Sequence, residues 1–147
     1  MTQENKGLLL KDLCARLPYG VKIELTWWVM GEGTCINTAL EPDHIEQLLN
    51  DEDGDTEIKP YLRPMSSMTE EEFNKLKEYS GLKYDQLDLA SFQNGTYKCL
   101  DFYLSEVPSG AVIRVFDWLN RYHFDYRDLI PMDLAIAVTK ENNPYKE

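Results

Sequence analysis

Polar and apolar positions alternate most cleanly between Val21 and Met30. Val21, Ile23 and Leu25 fall on one side and Lys22, Glu24 and Thr26 on the other, the period-two pattern of a half-buried strand. Gly31-Glu32-Gly33 supplies a turn, and Thr34 to Leu40 returns as a second strand, so a hairpin is expected. Upstream, Leu9, Leu10, Leu13 and Leu17 fall at helical spacing and predict a short helix over Leu8 to Leu17, ended by Pro18-Tyr19-Gly20. Downstream, Ile45, Leu48 and Leu49 predict a turn or two of helix over Asp43 to Asn50, and Asp51-Glu52-Asp53-Gly54-Asp55 an exposed loop. Ile58 to Leu62 reads as a strand, and Pro60 within it predicts an edge position.

Thr69-Glu70-Glu71-Glu72 is the sharpest local signal. Thr69 caps a helix, Glu72 reaches back to it, and three carboxylates meet the positive helix end. Phe73 and Leu76 mark its buried side, Glu71 and Lys75 form an i,i+4 pair, and Ser80-Gly81 stops it. From Tyr84 to Leu104 the pattern is weak: a turn at Gln93-Asn94-Gly95, then a strand or short helix from Tyr97. Ser109 caps a helix from Gly110 to about Tyr122 with Val112, Phe116 and Leu119 on one stripe, His123 to Ile130 reverses the chain, and Leu134 to Val138 forms a short strand. With no repeat and no linker, residues 1–147 are expected to form a single α+β domain: a small, mostly antiparallel sheet with about three helices packed on it.

Charge changes this picture in one place. Residues 41–57 carry eight acidic side chains and no Lys or Arg, which leaves only −3 of the net −11 for the other 130 residues. A nucleic acid is repelled at such a face, so direct nucleic-acid binding is not expected and a protein partner with a basic surface is. Hydrophobic content of 43% with 12% aromatics is that of a packed globule and not of a disordered acidic tail. No signal-peptide core or run of about 18 apolar residues is present, which points to a cytoplasmic protein without membrane association. Cys14, Cys35 and Cys99 are odd in number and widely spaced, as reduced, partly buried thiols are.

Catalytic and metal chemistry find little support. An EF-hand loop beginning at Asp51 requires Gly at its sixth position and Glu at its twelfth, where Thr56 and Leu62 stand. His44 and His123 are the two histidines and no cysteines are close together, so neither a metal nor another cofactor is expected. Cys99 with His123 and Asp125 or Asp117 is the one nucleophilic constellation that can be written, and its spacing carries no information. His123 is placed to stabilise a helix C-terminus. The aromatic and arginine cluster of Trp118, Arg121, Tyr122 and Arg127, with Phe124 and Tyr126, has the residue types of a contact surface, or packs the core with its arginines paired to Asp117, Asp125 and Asp128.

Three segments, LLLKDLCARLPYGVKIEL, IKPYLRPMSSMTEEE and FDWLNRYHFDYRDLIPMDLAIAV, resemble an uncharacterised family of small proteins of gut anaerobic bacteria, their mobile elements and prophages. The resemblance implies a bacterial or phage accessory protein and assigns no residue a role. The expectation is therefore a non-catalytic acidic protein that binds another protein through Asp51, Glu52, Asp53, Asp55 and Glu57, with Trp118, Arg121, Tyr122 and Arg127 as a further contact set. Its sharpest form is an inhibitor whose carboxylates stand in for phosphates. The alternatives are a small enzyme or enzyme subunit using His123 with nearby carboxylates, and a self-assembling structural protein. The sequence leaves the oligomeric state open.

Overall fold

The computed structural model describes residues 1–81, 88–94 and 109–146. Its class is α+β, as the sequence patterning predicts, with five α-helices among the described residues against the three or so expected. Internal contacts divide the chain into two compact units, residues 1–62 with 127–147 and residues 63–126.

The first unit carries the sheet. Helix α1 (Gln3–Arg16) begins five residues before the leucine pattern does, because Thr2 accepts a hydrogen bond from the Asn5 N–H and caps it there. Strands β1 (Lys22–Val29) and β2 (Glu32–Ala39) form the expected hairpin, pairing without a break from Lys22 opposite Ala39 to Val29 opposite Glu32. The turn is Met30-Gly31 and not the predicted Gly31-Glu32-Gly33: Met30 and Gly31 both have positive φ (53° and 83°), as the tight turn of a twisted hairpin demands. Gly33 lies inside β2, where the Trp28 ring crosses so closely that a Cβ on Gly33 would stand 2.8 Å from the indole nitrogen.

Helix α2 (Pro42–Asn50) leads to β3 (Thr56–Leu62), which pairs antiparallel with β1 and parallel with the two-residue β4 (Ile136–Ala137), giving the order β2-β1-β3-β4. The edge position predicted from Pro60 is therefore corrected to an inner one. Leu62 C=O accepts the Val138 N–H, so the even-numbered residues of β3 turn their polar backbone away from β1. Pro60 shares that parity, and β4 pairs only from Tyr61 onward, so the missing N–H breaks no rung.

Leu9 and Leu13 of α1 and Ile45 and Leu48 of α2 form one apolar cluster with Ile23, Leu25, Ile58 and Leu62 of the sheet. Within it Asp12 and Arg16, both fully buried, pair at 2.8 Å, and Arg127 reaches the second Asp12 oxygen at 2.8 Å. Continuing the β1–β3 register would set Lys22 opposite Tyr61. The Tyr145 hydroxyl takes that rung instead, accepting from the Lys22 N–H (2.9 Å) and donating to the Tyr61 C=O (2.7 Å). Burial raises the Tyr145 phenol well above its ordinary pKa.

The second unit is helical: α3 (Glu70–Ser80), α4 (Leu89–Gln93) and α5 (Ser109–Arg121). The predicted capping box is present, with the Glu72 N–H on Thr69 Oγ1 at 3.2 Å and the Thr69 N–H on Glu72 Oε1 at 3.0 Å, and Gly81 ends α3 in the left-handed region. Arg63 forks onto both Glu72 oxygens. Burial alone would raise the Glu72 pKa, but the Arg63 and Thr69 hydrogen bonds outweigh it and hold the carboxyl below its ordinary value. Helix α5 closes on paired bonds from the His123 N–H to Asn120 C=O and the Phe124 N–H to Leu119 C=O, with His123 itself at φ 66°. Phe73, Leu76, Phe92, Val115, Trp118, Leu119 and Phe124 fill the core of this unit. The elements anticipated between Tyr97 and Leu104, and Gly95 of the predicted turn, lie outside the described residues.

Candidate functional site

The acidic stretch is ordered by its own backbone and by a few of its carboxylates. Pro42 opens α2, and the Glu41 N–H donates to His44 Nδ1 at 3.0 Å, which gives His44 a capping task. Ile45 and Leu48 anchor the helix while Glu41, Asp43 and Glu46 stay exposed. In the loop that follows, Asp51 is consumed by structure. Its Oδ1 accepts the Asp55 N–H (3.0 Å), its Oδ2 the Thr56 N–H (3.2 Å), and its carbonyl the Lys6 ammonium (3.1 Å). Gly54 turns the loop at φ 74°, and the Asp55 carbonyl takes the Trp28 N–H at 3.0 Å, which ties the loop to the end of β1.

The braced loop presents Glu52, Asp53 and Asp55 to solvent. Glu57 is instead drawn to Lys59 (3.2 Å), which also binds Asp133 at 3.0 Å. Burial alone would lower the Lys59 pKa, but hydrogen bonds to Asp133 and Glu57 more than offset it and the value is raised. Beside the loop lies a cleft of about 460 Å³ whose apolar lining includes Leu9, Leu48 and Ile58 and whose polar lining sets Asp51, Glu52, Glu57 and Asp133 against Lys6 and Lys59, with Trp28 at its side. Carboxylates outnumber ammoniums along this lining, and with the exposed Asp53 and Asp55 beside it the neighbourhood favours cationic groups. Among the described residues, no group of three or more His, Cys, Asp or Glu side chains is arranged to hold a metal ion.

The second contact set is divided by the fold. Trp118 is 4% exposed and stacks on Phe124 with ring centres 5.8 Å apart, so it belongs to the core of the helical unit. Arg127 belongs to the sheet-bearing unit, where it serves Asp12. Tyr122, 43% exposed, and Arg121, whose guanidinium lies 5.6 Å from the Tyr79 ring centre, remain on the surface. Near them the Tyr79 hydroxyl donates to Asp117 at 2.6 Å, a bond that raises the phenol's pKa.

His123 occupies the left-handed position after α5, and its carbonyl accepts the Arg63 N–H at 2.7 Å. Asp125 is buried and its N–H donates to the Arg63 carbonyl. Cys99 lies outside the described residues. Cys14 and Cys35 are exposed thiols and not partly buried ones, Cys14 because it faces outward on α1 and Cys35 because it lies opposite Thr26 on the polar face of the hairpin.

Sequence reasoning missed two features, the cleft beside the acidic loop and the exposure of β2 on both faces. Both depend on tertiary packing, and only Trp27 and Trp28, large aromatics beside the turn of a hairpin, hinted at them.

No protein-family model, curated protein or solved structure matches this chain. No helix among the described residues is long and apolar enough to cross a membrane. What the fold and the site define is an α+β protein with a braced acidic loop beside a four-stranded sheet.

Proposed function

We propose that this chain is a non-catalytic accessory protein that binds another protein through that partner's basic surface. The observation that supports it most directly is the division of labour in the acidic stretch. Asp51 and Glu57 are engaged within the fold, while Glu41, Asp43, Glu46, Glu52, Asp53 and Asp55 stand exposed without a cation anywhere in residues 41–57. A loop held at both ends presents its charges at fixed positions, so a partner meets them with little ordering cost. The long reach of the field favours fast encounter, and the fixed geometry favours partners whose cations match it. In its sharper form, the partner is a nucleic-acid-handling protein and the carboxylates occupy sites meant for phosphates.

The test is capture from bacterial lysate at low and high salt with the parent chain and the triple variant Glu52→Gln, Asp53→Asn, Asp55→Asn. The expected result is a basic partner lost at high salt and weakened about 10- to 100-fold by the triple variant, since roughly 1.4 kcal/mol is tenfold. Competition by duplex DNA for the same partner distinguishes the phosphate-mimicking form. A partner retained in full by the triple variant would overturn the reading.

A further inference from the structure

Among the described residues, nothing covers one edge of the sheet. The Leu40 N–H donates to the Val21 carbonyl at 2.9 Å, so the even-numbered positions of the returning strand turn their polar backbone toward β1. Gly33, Cys35, Asn37 and Ala39 therefore turn theirs outward, and among the described residues no strand lies beyond β2. Sheet edges are ordinarily blunted by lysine, proline or a bulge. The segment Glu32-Gly33-Thr34-Cys35-Ile36-Asn37-Thr38-Ala39 has no lysine or proline, its register is unbroken over eight pairs, and its first six residues are exposed on both faces. At the adjoining tip, Met30 is 99% exposed and occupies a backbone conformation that suits Asn or Gly. An apolar residue fully in water at a strained position breaks the local rule with no gain to the fold, as contact residues do.

We propose that an extended lysine- or arginine-bearing segment of a partner protein adds to β2 as a further strand. It hydrogen-bonds to Gly33, Cys35, Asn37 and Ala39. This rests on the reading of a basic partner and specifies how that partner is held.

Charge decides the occupant. Glu32 opens β2, and Glu41 and Asp43 follow it directly, so a strand laid along the edge meets exposed carboxylates at both ends. Lys22 is the only cation in β1 and β2, against Glu24 and Glu32. A second copy of the chain fits badly. Antiparallel self-pairing with matched faces sets Glu32 of each copy near Glu41 and Asp43 of the other, like charges that oppose pairing, on chains that each carry −11. A cationic segment meets attraction at the same positions.

The experiment uses the whole chain and a labelled nonapeptide alternating Lys and Val, beside a twin of equal charge N-methylated at alternate residues. Cys35→Pro removes only an outward N–H, so the β1–β2 ladder survives it, and circular dichroism checks that the variant is folded. The expected result is micromolar binding of the parent peptide, slower amide exchange at Gly33, Cys35, Asn37 and Ala39, and at least tenfold weaker binding for the twin and for Cys35→Pro. Equal binding of peptide and twin would show attraction by charge alone. That overturns the edge assignment and leaves the basic-partner reading to the lysate experiment. Failure of the peptide to bind at low salt, or a chain that dimerises through β2, also overturns the inference. The twin peptide keeps the test decisive if Cys35→Pro does not fold.

Discussion

Asp12 is the residue whose removal should be felt most. Its carboxylate is fully buried and is shared by Arg16, also fully buried, at 2.8 Å and by Arg127 at 2.8 Å. Asp12→Ala leaves the two guanidiniums without the one charge both engage, and breaking a buried pair from one side costs about 3–5 kcal/mol. Against a total stability of about 5–15 kcal/mol, that is a large fraction. At about 2–4 °C per kcal/mol for a chain of this length, the melting temperature should fall by roughly 6–20 °C. The same arithmetic predicts a rescue. Replacing the helical pair together, Asp12→Ala with Arg16→Met, restores much of the loss, because the desolvation of Arg16 disappears along with its partner. Thermal and urea melts of the parent, both single variants and the double variant form a double-mutant cycle, with an expected coupling of at least about 1 kcal/mol. A coupling near zero, or a loss below about 1 kcal/mol for Asp12→Ala, would refute the argument that this carboxylate neutralises the interior.

Tyr145→Phe should cost about 1–3 kcal/mol, since the Lys22 N–H and the Tyr61 carbonyl both lose the hydroxyl that completes their rung; chemical denaturation reads it directly. Because burial raises the Tyr145 pKa in the folded chain, its stabilising contribution is complete below the unfolded value near 10 and declines as pH rises above it. Melts above pH 10 should therefore lose more stability in the parent than in Tyr145→Phe. For Glu72 the sign is opposite. Its pKa is lowered on folding, so its contribution is present above the ordinary value of 4.5 and is lost as pH falls through the lower folded value; Glu72→Gln should flatten the melting profile in that acid window. Met30→Asn should stabilise the chain by about 0.5–1 kcal/mol, read as a higher melting temperature, because the side chain buries nothing and Asn tolerates positive φ better.

Local chemistry was legible where one residue does one thing. Thr69 with Glu72 announced the cap, the alternation from Val21 announced β1, and Asp51 to Asp55 announced an exposed loop. The errors came where two readings share a residue type. Two glycines flank Glu32, and only the structure shows that Gly31 turns the chain while Gly33 makes room for an indole. Pro60 resembles an edge marker until its parity is known, because proline is harmful only where its nitrogen faces a neighbour. The candidate site was half legible. Charge density singled out residues 51–57, but the Asp51 carboxylate is engaged by N–H groups of its own loop, and the loop backbone is tied down by Lys6 and Trp28, far away in sequence. Trp118 and Arg127 read as surface candidates from composition, and packing assigned them to interior tasks.

The order of β3 and β4 has a consequence in time. The carbonyl of Leu62 waits for the N–H of Val138, 76 residues later, so the outer side of β3 stays uncovered while that length of chain emerges from the ribosome. At about 5–20 residues per second this lasts roughly 4–15 s, far longer than a hairpin needs to form. Any β1–β2–β3 ladder that forms on the nascent chain keeps a bare flank for those seconds. Throughout that interval Pro60, the residue on that flank with no N–H to offer, denies a foreign strand one of its rungs.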